Sequence, residues 1–423
     1  MTRPLILTLF SYDWDLNAIA RLGEQYEFQS DGFDLFTFPD NRRLLYFDIE
    51  AWVAKLADRY RDRAPAAVLS HNEQFGALAA SLLAEKLGLA GTKPEAVLRT
   101  QHKLVVRQTL DRVAPQANLA YFMLDCEYGE LPPDNLSYPL FVKPIKAAFS
   151  VLAKRIESRA ELIAHTRFGW FEVWIIKRLV KPFNDVAQRR INAVHAHHMI
   201  VEEPIKAAQF NLDGYVYQGK TELLGVVDSI MYPGTQAFLR FAYPSKLATA
   251  VQLRALDVAS RFLAEVGFDH GFFNMEFFYD ESSDRLTVIE FNPRLASQLA
   301  DLYQRVDGRD VHAMTIALAM GHDPKSVPRQ KPRGGAAASF VIRTFNDRTE
   351  MQTPQVADRQ WLARNFDDPI LIYFGKSRSG LKRELKWLGS HRHAVFHLHG
   401  DDEADLRRKQ QRVCAHFNWP AAY

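Results

Sequence analysis

Cysteine is scarce in this chain. There are two, Cys126 and Cys414, in 423 residues, far apart and without a companion motif. That argues against a disulfide framework and fits a reducing compartment. An excess of one charge is lacking too: 53 basic residues face 50 acidic ones, a net +3, too balanced to argue for nucleic acid. No window approaches the ~20 apolar residues of a membrane span. The opening "MTRPLILTLFSYDWD" has an apolar run too short for a secretory core and meets acids at once. Internal repeats and low-complexity tracts are absent. The expectation is a soluble, cytoplasmic protein with neither a membrane nor a nucleic-acid partner. At 47% hydrophobic and 24% charged residues it is ordinary globular stock, and its length favours two or three packed units.

Strand-helix alternation dominates the first hundred residues. "PLILTLF" reads as a strand and "DWDLNAIARLGEQY" as a helix capped by Asp13 or Asp15. "AAVLS" and "NEQFGALAASLLAEKLG" repeat the scheme, the helix stopping at Gly88. A parallel α/β unit follows from this pattern. "GTKPEAVLRTQHKLVVRQTLD" then carries two helical segments, the first opened by Thr92 and Pro94. From Tyr138 the chain turns to short β-like runs: "YPLFVKP", "WFEVWIIKRLV", "HHMIVEEPI", "FNLDGYVY" and "TELLGVVDSI", with "YQGK" a hairpin turn. A long amphipathic helix, "TAVQLRALDVASRFLAEVG", precedes "FFNMEFFY", "LTVIEFN" and a further helix, "GRDVHAMTIALAMG". The polar, Pro- and Gly-rich "DPKSVPRQKPRGG" reads as a linker to a final α/β piece. The expected domains are 1–112, a parallel α/β unit; 113–321, α+β; and 322–423, a small α/β subdomain.

The stretch "TVIEFNPRLASQ" carries the chemistry. Alternation along a strand puts Glu290 and Asn292 on one face and Ile289 and Phe291 on the other. The turn-like "DESSDR" folds this strand back on "FFNMEFFY". A hairpin centred on Ser283 sets Glu276 opposite Glu290 and Asn274 opposite Asn292. Like charges directly across a sheet repel. A divalent cation between them relieves that, and hard oxygen ligands select Mg²⁺ or Mn²⁺; a solvated face with two unrelated acids is the plainer alternative. Upstream, "LFVKP" ends a strand at Lys143 beside a loop, "IKAAFS", holding Lys146 and Ser150. Backbone N–H groups of such a loop, with a lysine, suit phosphates. "IVEEPI" then supplies a strand edge with Glu202, Glu203 and Ile205.

That order of parts resembles the ATP-grasp carboxylate–amine ligases, over roughly residues 70 to 321. The amino-acid ligase and biotin-carboxylase-like branches are the nearest comparison. The resemblance implies an ATP-grasp fold with a pre-ATP-grasp domain at 1–112 and ATP with Mg²⁺ or Mn²⁺ as cofactors. Lys103, preceded by His102 where an acid is usual, is similar to the first nucleotide lysine. Lys143 is similar to the second, reaching the phosphates with Lys146 and Ser150. The backbone at Glu203 and Ile205 would meet adenine, with Glu202 near its amino group and Gln209 where many members carry a ribose-binding glutamate. Glu276, Glu290 and Asn292 match the metal ligands, and Arg294 matches the arginine at the transferring phosphoryl group. The implied reaction is activation of a carboxylate as an acyl phosphate for attack by an amine, giving an amide, ADP and phosphate. The implied partners are ATP and small carboxylate and amine substrates, and a homodimer stays open. Two departures stand out. "KPIKAAFSV" lacks the family's glycines, and Gln298 occupies the place of the biotin carboxylases' glutamate base and takes no proton at neutral pH. A biotin-carboxylase-like subunit and a non-catalytic nucleotide-binding protein remain the alternatives.

Other groups weigh less. Glu73, at a strand-to-helix junction, is a candidate substrate residue, as is Arg240, a loop cation for a substrate carboxylate or only a surface charge. His391, His393, His397 and His399 share parity, which makes zinc conceivable, though an ordinary surface strand is the simpler reading. His195, His197 and His198 read as structural or exposed. Lys376, Arg378, Lys382, Arg383 and Lys386 read as a solvated helix face.

Overall fold

The computed structural model describes residues 3–34, 40–146, 152–346, 351–376 and 378–423. The chain starts with β1 (Leu5–Leu9), α1 (Asp13–Leu22), β2 (Glu27–Asp31), α2 (Ile49–Tyr60), β3 (Ala67–Leu69) and α3 (Gly76–Leu87). The three strands form a parallel sheet in the order β2-β1-β3, buried under α2 and α3. The amide of Tyr12, the residue before α1, donates to Asp15 (2.9 Å). Gly88 closes α3 at φ +67, a left-handed cap that a Cβ would strain. Two helices, α4 (Pro94–Gln101) and α5 (Lys103–Val113), lead onward.

A second sheet follows, from β4 (Tyr121–Met123), β5 (Leu140–Pro144) and β6 (Lys154–Ile156), then α6 (Arg159–Thr166), α7 (Trp170–Ile191) and β7 (Met199–Glu202). Its order is β4-β7-β5-β6 and its pairs are antiparallel. Here the structure corrects the sequence: "WFEVWIIKRLV" is the first half of α7, not a strand. Its aromatic and β-branched residues favour strands, but Val173, Ile176, Val180, Phe183 and Ala187 recur at helical spacing. Val180, Phe183 and Ala187 pack on the first core and Val173 and Ile176 on a second. Tertiary burial along one stripe outweighs local preference.

The third sheet has eight strands. The chain runs through β8 (Ala208–Tyr217), β9 (Lys220–Met231), β10 (Phe238–Tyr243), α8 (Thr249–Val266), β11 (Gly271–Asp280), β12 (Arg285–Asn292), α9 (Ser297–Asp307) and α10 (Val311–Ala319). After an extended connection come β13 (Ala336–Thr344), α11 (Val356–Asn365), β14 (Ile370–Tyr373), α12 (Arg378–Leu388), β15 (His391–Gly400) and α13 (Glu403–His416). The order is β12-β11-β8-β9-β10-β13-β15-β14, so the C-terminal strands extend the sheet that carries the acidic hairpin. Gln218 and Gly219, both at positive φ (51° and 76°), make the tight β8–β9 turn. α8 and α5 cover one face of the hairpin end, where Phe262 stacks on Phe291 with ring centroids 3.9 Å apart.

The four histidines of β15 are buried, not on a surface strand. β15 lies between β13 and β14, and the register passes from Ile342↔Ala394 to Arg343↔Arg392, leaving His393 as a bulge that breaks the shared parity. Arg240 likewise is not in a loop. It sits in β10, paired with Ile230 and Phe340, its guanidinium 4.0 Å from the Tyr423 ring centroid. Both cysteines are free and buried, and no helix among the described residues is long and apolar enough to cross a membrane.

Candidate active site

In the β11–β12 hairpin Asn274 faces Asn292 and Glu276 faces Glu290, as expected, but not through a turn centred on Ser283: the strands leave the turn one step shorter, Asp280 pairing with Arg285, and the register shifts by one before Glu276. Just beyond, Phe277 pairs with Val288, so Ile289 is an extra, bulged residue. Val288, not Ile289, therefore joins Phe273, Met275, Phe277 and Phe291 in the core. Ile289 instead lines a cleft with Glu73, Thr100, Gln101, Lys103, Val106, Glu290 and Asn292.

The bulge frees carbonyls, and buried cations take them. Arg107, 1% exposed, donates to Val288 O (2.7 Å), Ile289 O (2.8 Å), Glu202 Oε1 (2.7 Å) and Asn118 Oδ1 (3.1 Å). Lys143, at the end of β5, pairs with Glu202 Oε2 (2.8 Å) and approaches Ile289 O (3.5 Å). Burial pushes the Lys143 ammonium down, and Glu202 opposes that. Glu202 is pushed up by burial, but Arg107 and Lys143 outweigh it and hold the carboxyl down at about 2. The sequence reading omits Arg107, although it follows Lys103 by four residues on α5 and so shares its face.

Lys103 opens α5, with His102 as N-cap, and its Nζ lies 3.4 Å from Glu290. His102 is buried and accepts from the Val105 amide. Burial holds its imidazole down at about 4, so it stays neutral and serves the helix as a cap. Lys146 donates to Glu73 O (3.1 Å) and lies over Phe183; burial lowers its ammonium to about 8. Ser150 lies outside the described residues. Arg294 is held by Glu73 (2.8 Å), whose carboxyl sits below its ordinary value because Arg294, Lys146 and Lys103 outweigh the upward push of burial.

Glu276 is the group left short of cations. Gln209 donates to it (2.8 Å), but burial, then Glu290 and Glu73, push its carboxyl up to about 8. Asn274 is tied to Asn211 and Asp213, which orients the strand beneath. Two in-register carboxylates and an amide, all oxygen donors on one sheet face, fit a hard divalent cation. The repulsion raising Glu276 is what such a cation would relieve.

Other expected contacts are placed differently. Glu203 accepts from Arg285 and from the Ala120 amide, and its own N–H donates to Ala120 O (3.0 Å). Glu202 faces inward to Arg107 and Lys143. Ile205 follows β7 and is half-buried. Arg240, on β10 with Tyr423 over its guanidinium, is not among the groups that converge on the hairpin. Glu73, by contrast, is drawn into the cluster.

Residues 136–301 match the ATP-grasp domain family. Over 314 residues the chain is 27% identical to carnosine synthase 1 of Gallus gallus, covering 69% of this chain and 31% of that protein. It is 29% identical over 158 residues to a D-alanine–D-alanine ligase of Synechococcus sp. (strain CC9605), covering 37% and 40% respectively. The chain thus spans about a third of the length of these curated relatives. In structure it is similar to an L-amino acid ligase from Bacillus licheniformis, at TM-score 0.72 and 14% identity over 98% of both chains.

Proposed function

We propose that the chain is an ATP-dependent carboxylate–amine ligase of the ATP-grasp superfamily, a reading supported by the ATP-grasp domain match at residues 136–301 and by the likeness in structure to an L-amino acid ligase. The observation that carries the reading is the convergence of Lys103, Lys143, Lys146 and Arg294 on a hairpin face where Glu276 and Glu290 stand in register. In this reading Glu276, Glu290 and Asn292 would hold Mg²⁺ or Mn²⁺, which when bound offsets charge on the ATP phosphates. The three lysines bind the phosphates, and the 203–205 segment lies along adenine. A substrate carboxylate oxygen attacks the γ-phosphorus, the bond to the bridging oxygen breaks, and ADP leaves. The transition state is loose and charge-rich, so positioned cations rather than a protein nucleophile lower its energy. Arg294, held in place by Glu73, is aimed at the oxygens that gain charge. An amine then adds to the acyl carbon, phosphate departs, and the amine's proton is lost to give an amide.

Glu73 supplies a half-buried carboxylate beside the reacting groups and is the candidate partner for a substrate ammonium group, which favours amino acids. Two other readings fare worse. A bicarbonate-activating, biotin-carboxylase-like subunit needs a base where Gln298 stands, and that amide donates to Ser339 (2.9 Å). A non-catalytic nucleotide binder has no use for a carboxyl pair held at a cost. The test is ATP consumption across amino acids and hydroxy or keto acids, with hydroxylamine present. ADP, phosphate and a hydroxamate are expected. Release of AMP and pyrophosphate would reject the acyl-phosphate scheme, and ADP release stimulated by bicarbonate alone would restore the carboxylase reading.

A further inference from the structure

A second cluster of ligand-type side chains lies where the parallel unit meets α9 and α10, next to the Glu73–Arg294 pair: His71 precedes Glu73 by two residues and Ser297 follows Arg294 by three. Asp15 of α1 accepts from His71 Nδ1 (2.7 Å), just past β3, and from Ser297 Oγ (2.7 Å), the first residue of α9. His312, on the first turn of α10, brings Nε2 to 3.5 Å from the same Asp15 oxygen. Asp15 and His71 are buried, at 3% and 7% exposure. His71 Nε2 is buried with no hydrogen-bond partner, and His312 Nε2, also buried, makes no well-formed bond, its nearest acceptor being the Asp15 oxygen at 3.5 Å. An imidazole nitrogen without a donor or acceptor, placed away from water, forfeits a hydrogen bond. One imidazole nitrogen with no partner and another with only a long contact, beside one carboxylate, is an arrangement that hydrogen bonding within the cluster leaves incomplete.

We propose that Asp15, His71 and His312 form a binding site for a transition-metal cation of the zinc type, separate from the oxygen-ligand site at Glu276 and Glu290. One ligand atom from each of the three lies within 4.8 Å of the others. A tetrahedron with ~2.1 Å bonds has edges of about 3.4 Å, so the 3.5 Å separation of Asp15 Oδ1 and His312 Nε2 needs little adjustment. Two imidazoles and a carboxylate select a borderline cation such as Zn²⁺ over Mg²⁺. Access exists: Ser297 and His312 line a cavity of about 330 Å³ between α1, α9 and α11. The ligands come from β3–α3, α1 and α10, so the bound ion ties the parallel unit to the helices that follow the acidic hairpin. Its stabilisation would be read in folding as well as in binding.

A second set of zinc-ligand type, the half-buried Glu127, His197 and His198, would compete for the ion, so the test uses the His197→Ala chain, in excess Mg²⁺ to occupy the oxygen-ligand site. Zn²⁺ titrated in competition with a chromogenic chelator should bind at one equivalent and raise the Tm. Co²⁺ in its place should give the intense visible bands of a four-coordinate ion. His312→Ala, at a half-buried position, should weaken zinc binding at least about tenfold and abolish the bands; His71→Gln should do the same if it folds by circular dichroism. Zinc bound as tightly by folded His312→Ala, or no equivalent bound by the parent beyond that variant, would overturn the assignment.

Discussion

Glu276→Gln separates what the site costs from what it does. In the wild-type protein the Glu276 carboxyl is pushed up to about 8, chiefly by burial and then by Glu290 and Glu73, from an ordinary 4.5. A carboxyl raised on folding stabilises the protein fully only below its unfolded value, and that contribution is lost as pH rises through the folded one. Metal-free stability should therefore fall from about pH 4.5 towards pH 8. Each pH unit in that window costs ~1.4 kcal/mol, so roughly 3 kcal/mol is lost by pH 7. At about 2 °C per kcal/mol for a chain of this size, that is on the order of 6 °C in Tm. The glutamine keeps the shape and the Gln209 contact while removing the charge. In chelator-treated protein the variant should melt higher than wild type at pH 7.5 and equal it near pH 5. With Mg²⁺ and a non-hydrolysable ATP analogue the order should reverse, because the wild type gains from binding and the variant loses a ligand. Parallel pH–Tm curves for the two proteins, or equal Mg²⁺-dependent stabilisation, would refute the argument.

Three other substitutions divide the cations by role. Arg294→Ala should bind ATP almost normally by calorimetry yet lose about a hundredfold in turnover, since a contact made in the transition state is typically worth ~3 kcal/mol; near-full turnover would make Arg294 structural. Lys143→Ala should raise the Michaelis constant for ATP and lower turnover together, because its charge meets phosphate before and during transfer; unchanged ATP affinity would remove it from the phosphate site. Arg107→Met leaves Glu202 with one cation, takes the guanidinium donor from Val288 O and leaves Ile289 O only the long contact from Lys143. Breaking a buried pair in this way costs about 3–5 kcal/mol, and a Tm loss under ~2 °C would show that Arg107 is dispensable.

Much of the site is legible in the sequence because it sits on a hairpin. Reading "DESSDR" as a turn centred on Ser283 puts Glu276 against Glu290 and Asn274 against Asn292, and those pairs form, though by a turn one step shorter whose register the Ile289 bulge then shifts by one. The bulge at Ile289 is not legible, since nothing in "TVIEFN" marks an extra residue. Arg107 could have been found from its i,i+4 relation to Lys103, but its partners are carbonyls exposed by that unread bulge. Exposure is harder to read than register. From sequence Arg240 and the β15 histidines look like surface groups, but a strand's neighbours are decided by topology, and here the C-terminal strands join the eight-stranded sheet instead of forming an edge of their own. The α7 segment shows the opposite failure: its helical stripe was present, and residue preference obscured it.

The inward turn of Glu202 follows from the charge balance. Five cations, Lys103, Arg107, Lys143, Lys146 and Arg294, converge around the acidic hairpin, where the proposed function puts the ATP phosphates, and such a cluster repels itself. The chain answers with carboxylates placed one by one: Glu202 between Arg107 and Lys143, Glu290 by Lys103, Glu73 against Arg294. Each pair fixes a cation in position before any phosphate arrives, so the ordering cost is met in folding rather than in binding. Glu202 is on this view a positioning residue for Lys143, and its proximity to the expected adenine edge is a consequence of where β7 and β5 pair. Glu276 is the exception, a carboxyl met by the neutral amide of Gln209. A buried carboxyl without its own lysine or arginine, set in register with a second carboxyl, is what a site must contain if a cation brought from solution is to complete it.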